Sequence, residues 1–350
     1  MKPRTNQLPE TTRVDFRNGV VSRTRIVGSV SATTTFPLKP IPPFRLDLTV
    51  WALRRRPSNA IDRWDGQTYR RVLVLNGRPV EAAVTQSGPS DSPRLHVALA
   101  GQRLAPNLKT AAVKSLECLL GLRINLSDFY RSAATDAKLD PLVERFRGMK
   151  PPRFPTVFET LANAIACQQM SLSLGILLLS RITEKFGLAT VNTPEPVHAF
   201  PQPENLADLK PMDFRRLGFS RAKGESLIAL AHAYASGQID LEALDGLSNA
   251  VVVERLLELK GVGRWSAEYV LLRGLGRLNV YPGDDVGARN NLQRWLKLRK
   301  PLDYDGVRRI TVQWQPYAGL VYFHMLLDRL DAAGHLTSKS QTTGGSDDLG

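Results

Sequence analysis

The chain has 350 residues, 43% of them hydrophobic, and a formal net charge of +14. That length exceeds one ordinary domain and suffices for roughly two or three, and the basic balance favours a polyanionic partner, although charge alone fits a ribosomal or membrane surface as well as DNA. The two cysteines, Cys118 and Cys167, are too few for a disulfide framework, no apolar run approaches the roughly 18 residues of a membrane span, and the first residues lack a signal-peptide apolar region, so the expectation is a cytoplasmic monomer without a membrane partner, nucleoid-associated in a bacterium.

Residues 1–40 are rich in Thr, Arg and Pro without a sustained period and read as a disordered basic arm, with DNA tethering and solvated slack both open. From Phe44 the period becomes two: Phe44, Leu46, Leu48 and Val50 share one face of an expected strand, with Asp47 and Thr49 on the other. Val72-Leu73-Val74-Leu75, then Asn76-Gly77, then Val80 to Val84 predicts a β-hairpin, and Leu95, Val97 and Leu99 alternate in a further strand. Asn107 stands where a helix cap belongs, before Leu108, Ala112, Leu116 and Leu119 at helical spacing, and Gly121 is the stop. Residues 41–135 therefore form an α+β unit around an antiparallel sheet, and residues 136–335 read as all helical, ahead of a Ser-, Thr- and Gly-rich tail at 336–350.

The helical part opens on a basic connector, Asp136 to Phe154, carrying Arg145, Arg147, Lys150 and Arg153. Val157, Phe158, Leu161 and Ile165 mark a helix that runs into Cys167-Gln168-Gln169-Met170-Ser171, by itself an ordinary polar turn. Leu172 to Phe186 is amphipathic and stopped by Gly187; Ser220 is placed to cap Arg221 to Ser236. Ser248 is placed to cap a helix with Val252, Val253, Leu256, Leu257 and Leu259 on its apolar face, and Lys260-Gly261-Val262-Gly263-Arg264 turns it into a second helix from about Arg264. The glycines permit a tight hairpin and leave a bare surface. The first N–H groups of the second helix have no intrahelical partner and suit a phosphate oxygen, with Lys260 and Arg264 adding positive charge: the layout of a backbone grip on DNA rather than base readout. About twenty positions after the hairpin, Val280-Tyr281-Pro282-Gly283 delivers Asp284-Asp285 to a helix from Val286 to about Leu296. Taken alone, that pair needs no role beyond capping.

Leu259-Lys260-Gly261-Val262-Gly263-Arg264-Trp265-Ser266-Ala267-Glu268-Tyr269, Arg273-Gly274 and Gly283-Asp284-Asp285-Val286-Gly287 together resemble the helix-hairpin-helix glycosylase superfamily, most closely its DNA-3-methyladenine glycosylase II branch. The resemblance runs from about Leu46 to Leu330 and implies an α+β sheet domain ahead of an all-helical core that excises alkylated bases from duplex DNA. It makes Asp285 the catalytic carboxylate, with Asp284 capping or supporting the loop. It puts Gln168 and Gln169 in the gap left by an extruded nucleotide, Gln169 foremost, since chemistry on a base requires taking it out of the stack. It has Leu217 to Lys223 pack beside the hairpin, and Tyr317, after Pro316, line the base pocket. Ala318-Gly319 departs from the Arg-Ser pair frequent there. Strand-cleaving relatives carry a Schiff-base Lys where this chain has Trp265, so the resemblance implies a monofunctional enzyme.

Excision passes through an oxocarbenium-like transition state, which a fixed carboxylate stabilises. A helix N-terminus favours the anion, which suits Asp285 as stabiliser or base rather than acid. Trp265 and Tyr317 are candidates to stack on a cationic base, with core packing an equal alternative for Trp265. The five histidines lack ligand spacing and two cysteines cannot hold a four-cysteine iron–sulfur cluster, so neither metal nor cofactor is expected. Two alternatives stay open: the same fold acting on an oxidised purine or uracil, and a non-catalytic helix-hairpin-helix DNA binder.

Overall fold

Asn76 and Gly77 both adopt left-handed backbone angles, φ 51° and 73°, as a two-residue hairpin turn requires. They join β3 (Thr68–Leu75) to β4 (Arg78–Ser87) in the expected register, with Leu75 opposite Arg78. In the computed structural model, which describes residues 31–102, 107–190 and 196–336, these strands belong to a five-stranded antiparallel sheet. With β1 (Ser31–Leu38), β2 (Arg63–Trp64) and β5 (Arg94–Gln102), its order is β1-β5-β4-β3-β2. Val80, Ala82 and Val84 alternate inward beside Leu95, Val97 and Leu99, and α2 (Leu108–Leu119) covers them with Leu108, Ala112, Leu116 and Leu119.

Two expectations are corrected here. The arm assigned to residues 1–40 ends earlier, because Ser31–Leu38 pairs with β5 along its length and buries Phe36 and Leu38; residues 1–30, like the tail from 337, lie outside the described residues. The strand expected at Phe44 to Val50 is instead the approach to α1 (Leu46–Arg54). Leu46, Val50 and Leu53 also satisfy the helical spacing i, i+4, i+7. Leu48, Thr49 and Ala52 are buried as well, so no polar face exposes the true period.

The remaining elements are helical apart from one isolated bridge between Ala189 and His198. In order they are α3 (Ser127–Ala133), α4 (Leu139–Arg145), α5 (Val157–Cys167), α6 (Leu172–Phe186), the short α7 (Pro203–Leu206) and α8 (Pro211–Arg216), α9 (Arg221–Ala235), α10 (Asn249–Leu257), α11 (Arg264–Arg273), α12 (Val286–Trp295), α13 (Tyr304–Thr311) and α14 (Ala318–Ala332). Helix α5 is buried from Val157 to Ala166 and packs against α6, α9 and α11 in one core. A second core joins α3 and α4 to α1, α12, α13 and α14, so helices before and after residue 136 share an interior. The sheet is tied to α5 through Arg71, whose guanidinium is buried between Asp62 at 2.8 Å and Glu159 at 2.6 Å.

Candidate active site

The hairpin forms as its glycines dictate. Ser248 caps α10 by accepting from the Val251 N–H. Gly261 has φ +81°, and a Cβ there would stand 2.3 Å from Ser226 Oγ on α9, so both backbone and space require glycine. Helix α9 thus packs beside the hairpin through Ser226, just beyond the Leu217 to Lys223 stretch. Gly263 differs: it is extended, caps α11, is exposed, and a Cβ there would meet nothing within 4 Å. The fold therefore does not require glycine at this position. Lys260 and Arg264 are exposed but not free, since Lys260 pairs with Glu225 at 3.1 Å and Arg264 lies 3.9 Å from Asp284.

Helix α11 is buried from Ser266 to Arg273, which leaves Trp265 half-buried at its mouth. The Trp265 ring packs on Tyr269 at 5.6 Å, and its indole N–H donates to Asp285 Oδ2 at 3.0 Å. The other Asp285 oxygen accepts from the Ala288 N–H at 2.8 Å, making Asp285 the N-cap of α12. The capping duty expected of Asp284 therefore falls to Asp285, while Asp284 pairs with Arg264; of two adjacent acids, only the one directly before Val286 has its carboxylate in reach of the helix amides. Capping and chemistry are not alternatives at this position: the cap uses one oxygen and the indole orients the other.

Around this carboxylate sit groups that sequence reasoning missed. Burial raises the pKa of Cys167, Tyr269, Tyr281 and Tyr322 above their ordinary values, with the Asp285 charge adding to it. Two buried guanidiniums flank Tyr269: Arg55 donates to Asn163 Oδ1 at 2.9 Å, where the Tyr269 hydroxyl also donates at 3.0 Å, and Arg273 donates to the Ala52 carbonyl at 2.9 Å. Arg273 and Tyr269 lay within the motif; Arg55 and Asn163, far off in sequence, carried no signal.

The Gln168-Gln169 turn separates into two roles. The Gln168 side chain turns inward and donates to the Gly261 carbonyl at 2.8 Å and to Ser266 Oγ at 2.9 Å, so it braces the hairpin rather than standing free to fill a gap in DNA. Gln169 is exposed at φ +52°. Lys223 fixes the turn by donating to the carbonyls of Ala166 and Gln168 at 2.9 and 2.6 Å. Tyr317 is half-buried after Pro316, and its ring meets Phe129 edge-on at 5.6 Å. The structure thus joins Gln168 to the hairpin and Trp265 to Asp285, while the ring contact of Tyr317 is with Phe129. A cavity of about 620 Å³ lies nearby, lined by residues including Glu268, Tyr281, Tyr304 and Arg308 but not by Asp285, Trp265 or Tyr317. Among the described residues no cluster of His, Cys, Asp or Glu could hold a metal ion, and no helix is long and apolar enough to cross a membrane.

Residues 162–316, from within α5 to the proline before Tyr317, match the model of the HhH-GPD superfamily base excision DNA repair protein. The chain is 26% identical over 276 residues to a putative DNA-3-methyladenine glycosylase of Bacillus subtilis, covering 79% of this chain and 92% of that protein. It is 33% identical over 164 residues to DNA-3-methyladenine glycosylase 1 of Schizosaccharomyces pombe, covering 47% and 68%. Among solved structures it is similar to a 3-methyladenine DNA-glycosylase from Archaeoglobus fulgidus, with TM-score 0.73, 26% identity, and coverage of 85% of this chain and 99% of that one.

Proposed function

The chain belongs to the HhH-GPD superfamily of base excision DNA repair proteins, and from that premise we propose that it is a monofunctional glycosylase hydrolysing the N-glycosidic bond of alkylated bases, 3-methyladenine foremost, in duplex DNA. The substrate class follows the names of its relatives. The observation that carries the mechanism is the double hold on Asp285, by the Trp265 indole and the Ala288 amide, at the end of a loop that starts from the hairpin helix.

In this reading the hairpin amides and Gly263 take the DNA backbone, and the damaged nucleotide turns out of the stack towards Asp285. Departure of the base leaves positive charge on the sugar. A carboxylate with both oxygens already oriented stabilises that charge without reorganising, and water then adds to C1′. A base alkylated at a ring nitrogen leaves as a neutral molecule, so no strong acid is required. Trp265 offers no amine for a Schiff base. Lys223 and Lys260 are committed to carbonyls and to Glu225.

One observation favours a second reading on the same fold. The guanidiniums of Arg55 and Arg273 lie 5.9 and 5.8 Å from the Tyr269 ring centroid, beneath Trp265, and their charge opposes a cationic base and favours a neutral one such as an oxidised or deaminated purine. A panel of duplexes bearing 3-methyladenine, 7-methylguanine, hypoxanthine, uracil or 8-oxoguanine separates the two.

The test of the mechanism is Asp285→Asn under single-turnover conditions. Loss of one preorganised electrostatic group costs about 10²–10³ in rate, and at least that is expected, with affinity for undamaged duplex little changed. Asn keeps a capping oxygen but turns an amide N–H2 towards the Trp265 N–H, so a small fall in melting temperature accompanies it. Asp284→Asn, which loosens only the contact with Arg264, is expected to cost less. A deeper loss in Asp284→Asn than in Asp285→Asn would reverse the assignment.

A further inference from the structure

The loop that carries Asp285 is fastened to α11 at a second point. The Gly283 N–H donates to Glu268 Oε2 at 2.9 Å. The Tyr304 hydroxyl, at the start of α13, donates to Glu268 Oε1 at 2.7 Å. Glu268 lies three residues after Trp265, one helical turn further into the protein. Helix α11 therefore grips the loop twice: Trp265 holds the Asp285 side chain, and Glu268 holds the backbone just ahead of it.

Glu268 is 8% exposed. Burial raises its carboxyl pKa, against the pull of the Tyr304 hydroxyl and the loop amides. Such a group is retained at a cost in desolvation that its hydrogen bonds must offset. Glu268 and Tyr304 both border the cavity of about 620 Å³. The loop is nonetheless pressed close: a Cβ at Gly283 would meet the Tyr304 ring at 2.9 Å. Arg264 lies over that ring at 4.7 Å while approaching Asp284 at 3.9 Å, so the outer side of the clamp connects to the hairpin's first helical residue.

We propose that Glu268 is a positioning residue for base excision, acting as a clamp that holds the Gly283 backbone with one oxygen and the Tyr304 hydroxyl with the other and so fixes the height of the Asp285 carboxylate against the sugar. This rests on the reading of Asp285 as the catalytic carboxylate. Glu268 touches no reacting atom; it acts through the loop, where a displacement of about 1 Å costs roughly a hundredfold in rate.

The clamp is tested with Glu268→Ala, Glu268→Gln and Tyr304→Phe in the full chain, using a duplex with one 3-methyladenine for single-turnover excision and an undamaged duplex for affinity. Glu268→Ala is expected to lower the excision rate by about tenfold to a hundredfold, with affinity for undamaged duplex within about twofold of wild type. Glu268→Gln is expected to recover most of the rate. Its oxygen accepts from Gly283, and the Tyr304 hydroxyl rotates to accept from its amide, so the clamp survives without the charge. Tyr304→Phe removes the outer bond only and is expected to fall between Glu268→Ala and wild type. Rate and affinity falling together in both Glu268 variants would reduce Glu268 to a structural part and overturn the proposal, as would an unimpaired Glu268→Ala beside an active wild type. A Glu268→Gln as slow as Glu268→Ala would move the effect from the clamp to the charge and overturn it equally. A wild type that excises nothing would sink the functional reading itself and this one with it.

Discussion

Gln169 sits at φ +52° with its side chain exposed, an uncommon backbone state for a residue with a Cβ. The state persists because its surroundings impose it: Lys223 ties down the carbonyls on either side of Cys167, and Gln168 is locked to the hairpin. Strain held this way presents one side chain outward at a fixed place beside the hairpin. If Gln169 fills the space of the extruded nucleotide, Gln169→Ala slows excision from duplex more than from single strands, where there is no stack to refill. Equal losses on both substrates would return Gln169 to an ordinary turn residue. Trp265 makes a second claim at this scale. With an indole committed to Asp285 and no free amine beside it, the wild type is expected to leave intact abasic strands that break only on later alkali treatment, and to form no borohydride-trapped adduct with DNA. The pairings behind both claims were only half legible in the sequence. The family resemblance singled out Asp285, Trp265 and Gln169, but which of two adjacent acids caps a helix, and which of two adjacent glutamines turns inward, depends on side-chain direction, which a sequence motif does not carry.

Burial on every side hid the period of one helix but not of another: α5, buried from Val157 to Ala166, kept Val157, Phe158, Leu161 and Ile165 at helical spacing. The Asn76-Gly77 turn marked its hairpin and Ser248 marked the start of α10. Helix α1 lies inside on nearly every side, so its alternating apolar residues imitated a strand. Helix α14, buried from Ala318 to Met325, carries a charge-sensitive residue inward. His324 is fully buried, with Nδ1 against the Leu320 carbonyl at 2.8 Å and no partner for Nε2. Burial lowers its pKa from 6.5 to about 4. Between those values the unfolded chain binds a proton that the folded one refuses, so stability is complete above about pH 6.5 and declines as pH falls towards about 4. At pH 5 the linkage amounts to about 2 kcal/mol. His324→Leu removes the titration, so its loss of unfolding free energy between pH 7 and pH 5, measured by chemical denaturation, is expected to be smaller than that of wild type by about this amount. Identical losses would locate the acid sensitivity elsewhere.

For the whole molecule the decisive quantity is the net charge of +14, together with how little of it at the hairpin is free. Lys260 is paired with Glu225, which also binds Arg221, and Arg264 is paired with Asp284. If the hairpin grips DNA, it does so through backbone amides and a bare Gly263 surface, while the wider basic field supplies attraction without sequence preference. Affinity for undamaged duplex is therefore expected to fall linearly on a plot of log affinity against log salt, with a slope set by the number of phosphates neutralised. Gly263→Ala separates the two contributions. A methyl group there meets nothing in the protein, and the extended backbone accepts it, so the melting temperature is expected to stay put. The methyl stands instead where a phosphate must come close to the α11 amides, so affinity is expected to drop at every salt concentration while the slope, which counts charges, is retained. A salt-insensitive affinity would remove the phosphate grip, and an unchanged affinity in Gly263→Ala would move it away from this hairpin.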